Sequence, residues 1–183
     1  MADGRMLLIS GPSGCGKSTI CDRLRVDSRV VFSVSATTRA PRAGEVDKQD
    51  YIFLSKSEFR TRIEGGEFIE HAEVYGNMYG TLRQPMHDAI DAGQVYLLEI
   101  DVQGALQLKA LDVPGIYVFV APPSLEVLRR RLEGRGTETP KSLERRLGKA
   151  RDELRDREKY DHEVVNHDLD RAVAEIRAIA GLE

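Results

Sequence analysis

The feature that most constrains the fold of this chain is a glycine-rich turn near its start. The turn reads Gly11-Pro12-Ser13-Gly14-Cys15-Gly16-Lys17-Ser18 and has the spacing G-x-x-x-x-G-K-[ST]. An apolar run at residues 6–9 before it is typical of a buried strand, and residues 19–25 after it predict a helix. Such a junction builds an anion site, because free backbone N–H groups and the positive end of the helix dipole converge there. We therefore predict a site for the phosphates of a nucleoside triphosphate.

The residues at the end of this turn have separate expected roles. Lys17 is expected to reach the β- and γ-phosphates, and the Ser18 hydroxyl to ligate Mg²⁺. Cys15 occupies a variable position and is most simply a small filler. Its place at a helix N-terminus also permits a lowered pKa and a reactive thiol. The turn does not indicate which molecule receives the phosphoryl group.

Strand and helix patterns alternate along the rest of the chain. Apolar or β-branched runs begin near residues 6, 30, 95, 116 and 164, and helical patterns separate them. This alternation predicts an α/β fold with a five-stranded parallel sheet and right-handed crossovers, and it leaves the strand order open. One helix, residues 83–92, is expected to be interrupted early by Pro85.

Two segments depart from this alternation. Residues 35–44 are polar and basic, and a short strand, a helix with a capping box at Ser55 and Glu58, and a hairpin around Gly76-Asn77 follow. Residues 125–157 are strongly charged and contain a glycine break at 134–136 that resembles a hinge. We expect a core of residues 1–34, 83–124 and 158–183, a small and mostly β insert of residues 35–82, and a helical lid of residues 125–157.

Composition and charge exclude several classes of partner. The net charge of the 183 residues is −3, so no overall basic field favours nucleic acid. No apolar run approaches the roughly 20 residues of a membrane span, and there is no signal-peptide pattern. The two cysteines, Cys15 and Cys21, form no disulfide framework. We expect a cytoplasmic monomer or homo-oligomer that binds small molecules and neither nucleic acid nor a membrane.

The phosphate loop, the insert after the second strand and the arginine-rich segment after the fourth together resemble a nucleoside monophosphate kinase. Over about residues 6–180, the chain resembles the guanylate kinase family within that group. Residues 33–45, SVSATTRAPRAGE, are highly specific to it, whereas the phosphate loop is shared more broadly. The segments that match are residues 11–19, 33–45, 50–53, 67–70, 76–81, 100–104 and 132–138.

The resemblance implies a three-layer phosphate-loop kinase fold with a GMP-binding insert and a helical lid. It implies Mg²⁺-dependent transfer of the γ-phosphoryl group of ATP to GMP, giving ADP and GDP, in purine nucleotide metabolism and GMP recycling. The implied ATP-binding residues are Gly11, Pro12, Ser13, Gly14, Cys15, Gly16, Lys17, Ser18, Thr19 and, near the adenine, Asn166. The implied catalytic residues are Lys17, Arg131, Arg135 and Arg146. The implied GMP-binding residues are Arg39, Arg42, Tyr51 and Tyr79 at the phosphate and Ser35, Glu70, Thr81 and Asp101 at the guanine end. Mg²⁺ would be held by Ser18 and, through water, by Asp101.

The chemistry of the acceptor agrees with this assignment. Guanine presents its N1–H and its exocyclic amine side by side, so the Glu70 carboxylate can accept from both. Adenine has no N1–H and would leave the carboxylate unpaired, which costs about 1–3 kcal/mol or more for a charged group. Ser35 and Thr81 can donate to guanine O6. Because the GMP phosphate is already ionised, no general base is needed, and catalysis reduces to positioning and charge neutralisation.

Some interpretations stay open at this stage. Asp101, at a strand end, fits either a site carboxylate or a helix cap, and Glu99 shares its strand face and fits a supporting role. Two alternative functions belong to proteins of similar fold. One is an enzyme that phosphorylates ribose 1,5-bisphosphate, and the other is a guanylate-kinase-like interaction module that binds phosphopeptides without catalysis. The intact residues 37–42 and Glu70 favour GMP over the first, and Lys17 with the lid arginines favours catalysis over the second.

Overall fold

The computed structural model describes residues 4–74, 76–134 and 139–183. Its strands are β1 (Arg5–Ser10), β2 (Val30–Phe32), β3 (Ala36–Thr37), β4 (Ile52–Phe53), β5 (Phe68–Val74), β6 (Asn77–Leu82), β7 (Val95–Glu99), β8 (Ile116–Ala121) and β9 (His162–Val165). Its helices are α1 (Lys17–Leu24), α2 (Lys56–Glu64), α3 (Arg83–Asp91), α4 (Val102–Ala110), α5 (Leu125–Glu133), α6 (Pro140–Glu153) and α7 (Leu169–Ile179). A 3-10 helix, Leu154–Lys159, joins α6 to β9.

The central sheet has five parallel strands in the order β2-β7-β1-β8-β9. The predicted number and direction of the strands are confirmed, and the strand order is added by the structure. β1 lies in the middle, between β7 and β8. The glycine-rich turn after β1 therefore opens at the centre of the carboxyl edge, which is where open α/β sheets bind ligands.

Alternation along β1 sends side chains to both faces of the central sheet. Leu7 and Ile9 join the apolar cluster with α1 and α7 on one face, and Met6 and Leu8 join the cluster with α3 and α4 on the other. All four side chains are fully buried. A strand buried on both faces needs an apolar residue at every position, which explains the uninterrupted apolar run of β1. The predicted three-layer α/β fold is confirmed.

Helix α3 differs from its prediction. Residues 83–91 form one helix, and Pro85 lies in its first turn. The N–H groups of a first turn have no partner within the helix, so the donor that proline lacks is not missed there. The expected interruption at Pro85 is therefore wrong.

The insert forms a second sheet of four strands in the order β4-β3-β6-β5. β5 and β6 make the predicted antiparallel hairpin, which turns at Gly76 with φ +80°. α2 begins with the predicted capping box of Ser55 and Glu58. Phe59 of α2 stacks on Phe68 of β5 with ring centroids 4.4 Å apart, inside an apolar cluster separate from those of the central sheet.

The lid helices α5 and α6 pack on each other through their own apolar cluster, formed mainly by Leu128, Leu132, Leu143 and Leu147. α5 begins at a Ser124 cap and α6 at a capping box on Thr139. Residues 135–138, which include Arg135 and most of the expected glycine hinge, lie outside the described residues. Among the helices that are described, none combines the length and apolarity required to cross a bilayer. The boundaries of core, insert and lid stay predictions.

Asp27, just before β2, is linked to the C-terminal end of the chain through two arginines. Its carboxylate accepts hydrogen bonds from Nη2 of Arg29 at 2.8 Å and from Nη2 of Arg177 at 2.9 Å. Both arginines also donate to the carbonyl oxygen of Leu182. The side-chain and backbone hydrogen bonds from Arg29, helped by Arg177, hold the pKa of Asp27 well below its usual range.

We expect Asp27→Asn to lower the free energy of unfolding by about 1–3 kcal/mol near neutral pH, because charge-assisted hydrogen bonds are lost. An acid with a depressed folded pKa stabilises the fold above its unfolded pKa of about 3.9, and this contribution is lost as the pH falls toward the folded pKa. Urea unfolding of both proteins at neutral pH and near pH 3 measures the effect. The difference between them should shrink in acid, and a difference independent of pH would contradict the role.

Candidate active site

Glycines with positive φ shape the turn after β1. Gly11 has φ +140° and Gly16 has φ +101°, which L side chains rarely adopt. A Cβ on Gly11 would also lie 2.2 Å from the carbonyl oxygen of Val120 in β8, so only glycine lets the loop pass over the sheet edge. α1 begins directly after the turn, at Lys17. The first N–H groups of a helix lack partners within it and can bind an anion.

Lys17 folds back onto this loop. Its Nζ donates to the carbonyl oxygens of Gly11 at 2.6 Å and of Pro12 at 3.1 Å. These bonds keep the ammonium group beside the N-terminus of α1. The cation and the helix end therefore act on the same small region, as the sequence predicts.

The opposite side of the loop is bound by Asn166 and Arg131. The Asn166 amide donates to the Cys15 carbonyl at 2.8 Å, and Arg131 donates to the carbonyls of Cys15 at 3.2 Å and of Asn166 at 2.9 Å. A Cβ on Gly16 would lie 2.3 Å from the Asn166 amide nitrogen, so this packing also requires glycine. Arg131 thus links the lid helix α5 to the loop and to the end of β9.

Arg146, the other described lid arginine of the predicted set, reaches the loop from α6. Its Nη1 lies 3.5 Å from the Ser13 hydroxyl oxygen. Arg146 lines the cleft above the loop together with Lys149 and Glu153, which lie on the same side of α6. The third predicted arginine, Arg135, lies outside the described residues.

The Cys15 thiol is not activated. Its side chain is fully buried, and burial raises the pKa of the thiol despite the opposing charge of Lys17. A raised pKa lowers the thiolate fraction on which reactivity depends. The interpretation of Cys15 as a reactive cysteine is therefore wrong, and the simpler one, a small filler beneath the loop, agrees with the structure.

Oxygen atoms that suit Mg²⁺ gather beside the loop. The Ser18 hydroxyl donates to Glu99 Oε1 at 2.7 Å, at the end of β7. Asp101 caps α4 by accepting the Gly104 N–H at 2.9 Å, and it lines the same cleft as Glu99. The two interpretations of Asp101 are therefore compatible. Mg²⁺ is usually held by one or two carboxylates, substrate phosphates and waters, and this donor set fits it.

A second cavity reaches into the insert and has Glu70 on its wall. The buried Thr81 hydroxyl donates to Glu70 Oε1 at 2.7 Å. Burial raises the pKa of Glu70, the Thr81 bond opposes this rise and the charge of Asp101 adds to it. Since the single Thr81 proton is used on Glu70, Thr81 orients the carboxylate here instead of presenting a donor for guanine O6, the role the sequence suggested.

Of the four predicted phosphate-binding residues of the insert, Tyr51 and Tyr79 line this cavity, whereas Arg39 and Arg42 are not among its lining residues. The rings of Tyr51 and Tyr79 meet edge to face with centroids 6.1 Å apart. The guanidinium carbon of Arg39 lies 5.3 Å from the centroid of Tyr51, and its nitrogens bind the carboxylate of Glu45. The Arg42 side chain is exposed, and its backbone N–H donates to the same carboxylate at 2.7 Å.

The two cavities share a wall. The cleft above the phosphate loop encloses about 480 Å³ and the insert cavity about 270 Å³. Both are lined by Ser35, Tyr51, Glu99, Ile100 and Asp101. A ligand with its phosphates on the loop and a second ligand in the insert would therefore meet at this wall, which is the geometry that phosphoryl transfer between them requires.

Comparison with known proteins agrees with this geometry. A family model described as guanylate kinase matches residues 3–181. The chain belongs to the guanylate kinase family. It is 45% identical over 181 residues to the guanylate kinase of Clostridioides difficile strain 630, covering 98% of this chain and 88% of that one. It is 49% identical over 177 residues to that of Clostridium perfringens strain SM101, covering 96% and 82%. A crystal structure of guanylate kinase from Anaplasma phagocytophilum superposes with a TM-score of 0.78 at 37% identity, covering 99% and 86%.

Guanylate kinases are ATP:GMP phosphotransferases, and this is the reaction that the site serves. The structure adds charged residues to which the sequence analysis gave no role. Lys149 and Glu153 line the cleft from α6, and Glu45 binds Arg39. Glu153 is buried, and burial raises its pKa although Lys149, 3.4 Å away, opposes the rise. No local pattern distinguishes Lys149 and Glu153 from the solvated charges around them, and Glu45 lies in the specific segment 33–45 without a role of its own in the sequence.

Proposed function

We propose that ATP occupies the cleft above the phosphate loop and that GMP occupies the insert cavity of this guanylate kinase. The observation that supports this arrangement is the wall shared by the two cavities. The triphosphate would lie on the loop between Lys17 and the N-terminus of α1, with Ser13, Gly14 and Thr19 among the residues along it. Asn166, which binds the loop at Cys15, would lie toward the adenine.

We propose the acceptor contacts as follows. The Glu70 carboxylate, oriented by Thr81, accepts from guanine N1–H and the exocyclic amine, and Ser35 donates to O6. Arg39, Arg42, Tyr51 and Tyr79 bind the phosphate of GMP. A guanidinium binds phosphate oxygens in pairs, and two phenols add further donors, so one dianion can be fully satisfied. The phosphate is its own nucleophile, so these residues need only aim it at the γ-phosphoryl group.

We propose that Mg²⁺ is bound beside Ser18, with Glu99 orienting the hydroxyl and Asp101 acting through water. When bound, the ion supplies positive charge to the β- and γ-phosphates. The residues of the chain then complete the neutralisation: Lys17 acts from the loop, and Arg146, Arg131 and Arg135 act from the lid. Because Arg131 binds backbone carbonyls on two elements, its contribution includes holding the loop against the lid.

We also propose that the protein works in the cytoplasm on small-molecule substrates alone, without a nucleic acid or a membrane as partner. Cys15 and Cys21 are both free thiols, as expected for a reducing compartment. The net charge of −3 is the second support.

The lid arginine Arg146 offers a direct test of the catalytic assignment. We expect Arg146→Ala to lower kcat by about 10²- to 10³-fold, because a preorganised donor to the transferring group is removed. The KM for GMP should change little, since the insert is untouched. The control is Arg145→Ala, the exposed neighbour of Arg146, which should keep full activity. Equal effects of the two substitutions in a coupled assay of ADP release would contradict the assignment.

The choice of acceptor is tested by an assay of ADP release with GMP, AMP, CMP, UMP and ribose 1,5-bisphosphate. Turnover should be highest with GMP and strongly reduced with AMP, which cannot pair with the Glu70 carboxylate through an N1–H. Preference for ribose 1,5-bisphosphate would show that the insert binds a sugar phosphate. No turnover with any acceptor, combined with phosphopeptide binding, would assign the chain to the non-catalytic modules.

A further inference from the structure

Glu45 binds both of the arginines that are assigned to the phosphate of GMP, Arg39 and Arg42. Its Oε1 accepts from Nη2 of Arg39 at 2.8 Å and its Oε2 from Nη1 at 3.0 Å, a two-point ion pair. Oε2 also accepts the backbone N–H of Arg42 at 2.7 Å. The side chains of Arg39 and Glu45 are only 15% and 19% exposed. One carboxylate therefore holds both arginines assigned to the phosphate, one by its side chain and the other by its backbone.

The guanidinium group of Arg39 has two edges that can bind a pair of oxygen atoms, and Glu45 occupies one of them. A guanidinium has five N–H donors in a rigid fork. Nη1 uses its donors on Glu45 and on the carbonyl oxygen of Ala40 at 2.7 Å, and Nη2 uses one on Glu45. The Nε–H and the second Nη2 hydrogen form another parallel pair on the side edge of the guanidinium. That side edge has the spacing of a two-oxygen group such as a phosphate.

Two further contacts fix the orientation of the guanidinium plane. Its carbon lies 5.3 Å from the ring centroid of Tyr51 and 5.8 Å from that of Phe53, within the range of cation–π attraction. Glu45 is itself held by a tight turn, in which its N–H donates to the Arg42 carbonyl at 3.1 Å and Gly44 has φ +90°. The carboxylate is therefore a built part of the loop rather than a mobile counterion.

We propose that Glu45 is a positioning residue that presents the side edge of Arg39 to the phosphate of GMP. The inference rests on the proposed assignment of Arg39 to that phosphate. By binding the end of the guanidinium, Glu45 leaves the side edge of Arg39 as the edge that can bind the phosphate, so the phosphate does not have to orient a long flexible side chain. The arrangement lowers the net positive charge of the site, so Glu45 contributes geometry at the expense of charge attraction.

A carboxylate beside a phosphate-binding arginine has an opposite interpretation. Glu45 would then be a placeholder that competes with the phosphate, and its removal would strengthen GMP binding. The two interpretations predict changes of opposite sign. The turn between Arg42 and Glu45 favours the interpretation of Glu45 as a positioning residue. If the carboxylate moved away, the hydrogen bond from the Arg42 backbone N–H would be lost together with the ion pair to Arg39.

The experiment compares wild type, Glu45→Gln and Glu45→Ala by calorimetric titration with GMP and with guanosine, which lacks the phosphate. We expect both variants to bind GMP about 10- to 100-fold more weakly, with the glutamine variant the less affected. Guanosine affinity should stay within about twofold of wild type, since Arg39 does not touch the base in the proposed arrangement. In steady-state assays the KM for GMP should rise while kcat at saturating GMP changes much less.

Glu67→Gln is the control, because Glu67 is an exposed insert glutamate paired with an arginine, Arg62, at 3.8 Å. It should bind both ligands as wild type does. Tighter GMP binding by the Glu45 variants, unchanged GMP binding, or an equal loss for guanosine and GMP would each overturn the proposal. Failure of the wild-type protein to bind GMP would instead overturn the assignment of the cavity, so the two failures are distinguishable.

Discussion

Lys17→Ala should lower kcat by about 10²- to 10³-fold, the cost of removing one preorganised positive donor from a phosphoryl-transfer site. The physical reason is the position of Nζ, 2.6 Å from the Gly11 carbonyl and beside the start of α1. No other group of the loop can supply a full positive charge there. GMP affinity should stay unchanged, because the insert is a separate sheet.

Coupled assays and GMP titration together measure this effect. Since Lys17 also bonds two loop carbonyls, thermal unfolding of the variant must be measured as well. Lys141→Ala, at an exposed position near the start of α6, is the control and should keep wild-type kcat. Wild-type turnover in Lys17→Ala would refute the role of Lys17. A parallel loss of GMP affinity would mean that the two cavities are not independent.

Glu70→Gln should weaken GMP binding by about 10- to 100-fold and leave ATP binding within about twofold of wild type. The amide keeps the size of the side chain, but it presents an N–H where guanine also presents a donor. Discrimination against AMP should fall, since the half-buried carboxylate that AMP cannot satisfy is gone. Glu73→Gln, an exposed position on the same strand β5, is the control. Equal losses of ATP and GMP affinity would count against the guanine assignment.

The same carboxylate predicts a pH dependence. Burial raises the pKa of Glu70, and Asp101 adds to the rise. Only the ionised carboxylate accepts both guanine donors, so guanine affinity is present above this pKa and lost as the pH falls through it. The loss should begin at a higher pH than an ordinary glutamate would give. Guanosine is the ligand to titrate, because its lack of a phosphate leaves Glu70 as the titrating group, and Glu70→Gln should remove the dependence.

Local patterns explain why so much of this site could be predicted from the sequence. The loop at 11–18 and the strand before it lie in one continuous stretch, so their spacing already fixes their geometry. The Arg39 segment and Glu70 were found through family resemblance, which matches residues in order along the chain. Strands β1, β7 and β8 were found because a buried parallel strand needs a nearly continuous apolar run.

What the sequence missed depends on contacts between distant segments. Lys149 and Glu153 are ordinary members of a charged helix until α6 is placed across the loop. The bonds of Arg131 to Cys15 and Asn166 join residues 116 and 35 positions apart, so no spacing rule reveals them. The resemblance implies a guanine contact for Thr81, and the sequence does not reveal its bond to Glu70, because that bond crosses between β6 and β5.

The insert and the lid each have an apolar cluster of their own, which affects how substitutions can accumulate in such an enzyme during evolution. Neither Phe59 with Phe68 nor the leucines of α5 and α6 belong to the clusters that cover the central sheet. Substitutions within these two clusters should therefore leave the stability of the central sheet nearly intact, as independent sites add without coupling. Ile69 of β5 is the exception, because it is buried in the central cluster with Met6 and Leu8 and so couples the insert to the core. The part of the insert around Phe59 and Phe68 can therefore change with the acceptor while the phosphate donor site stays constant, as long as the packing of Ile69 on the core is kept.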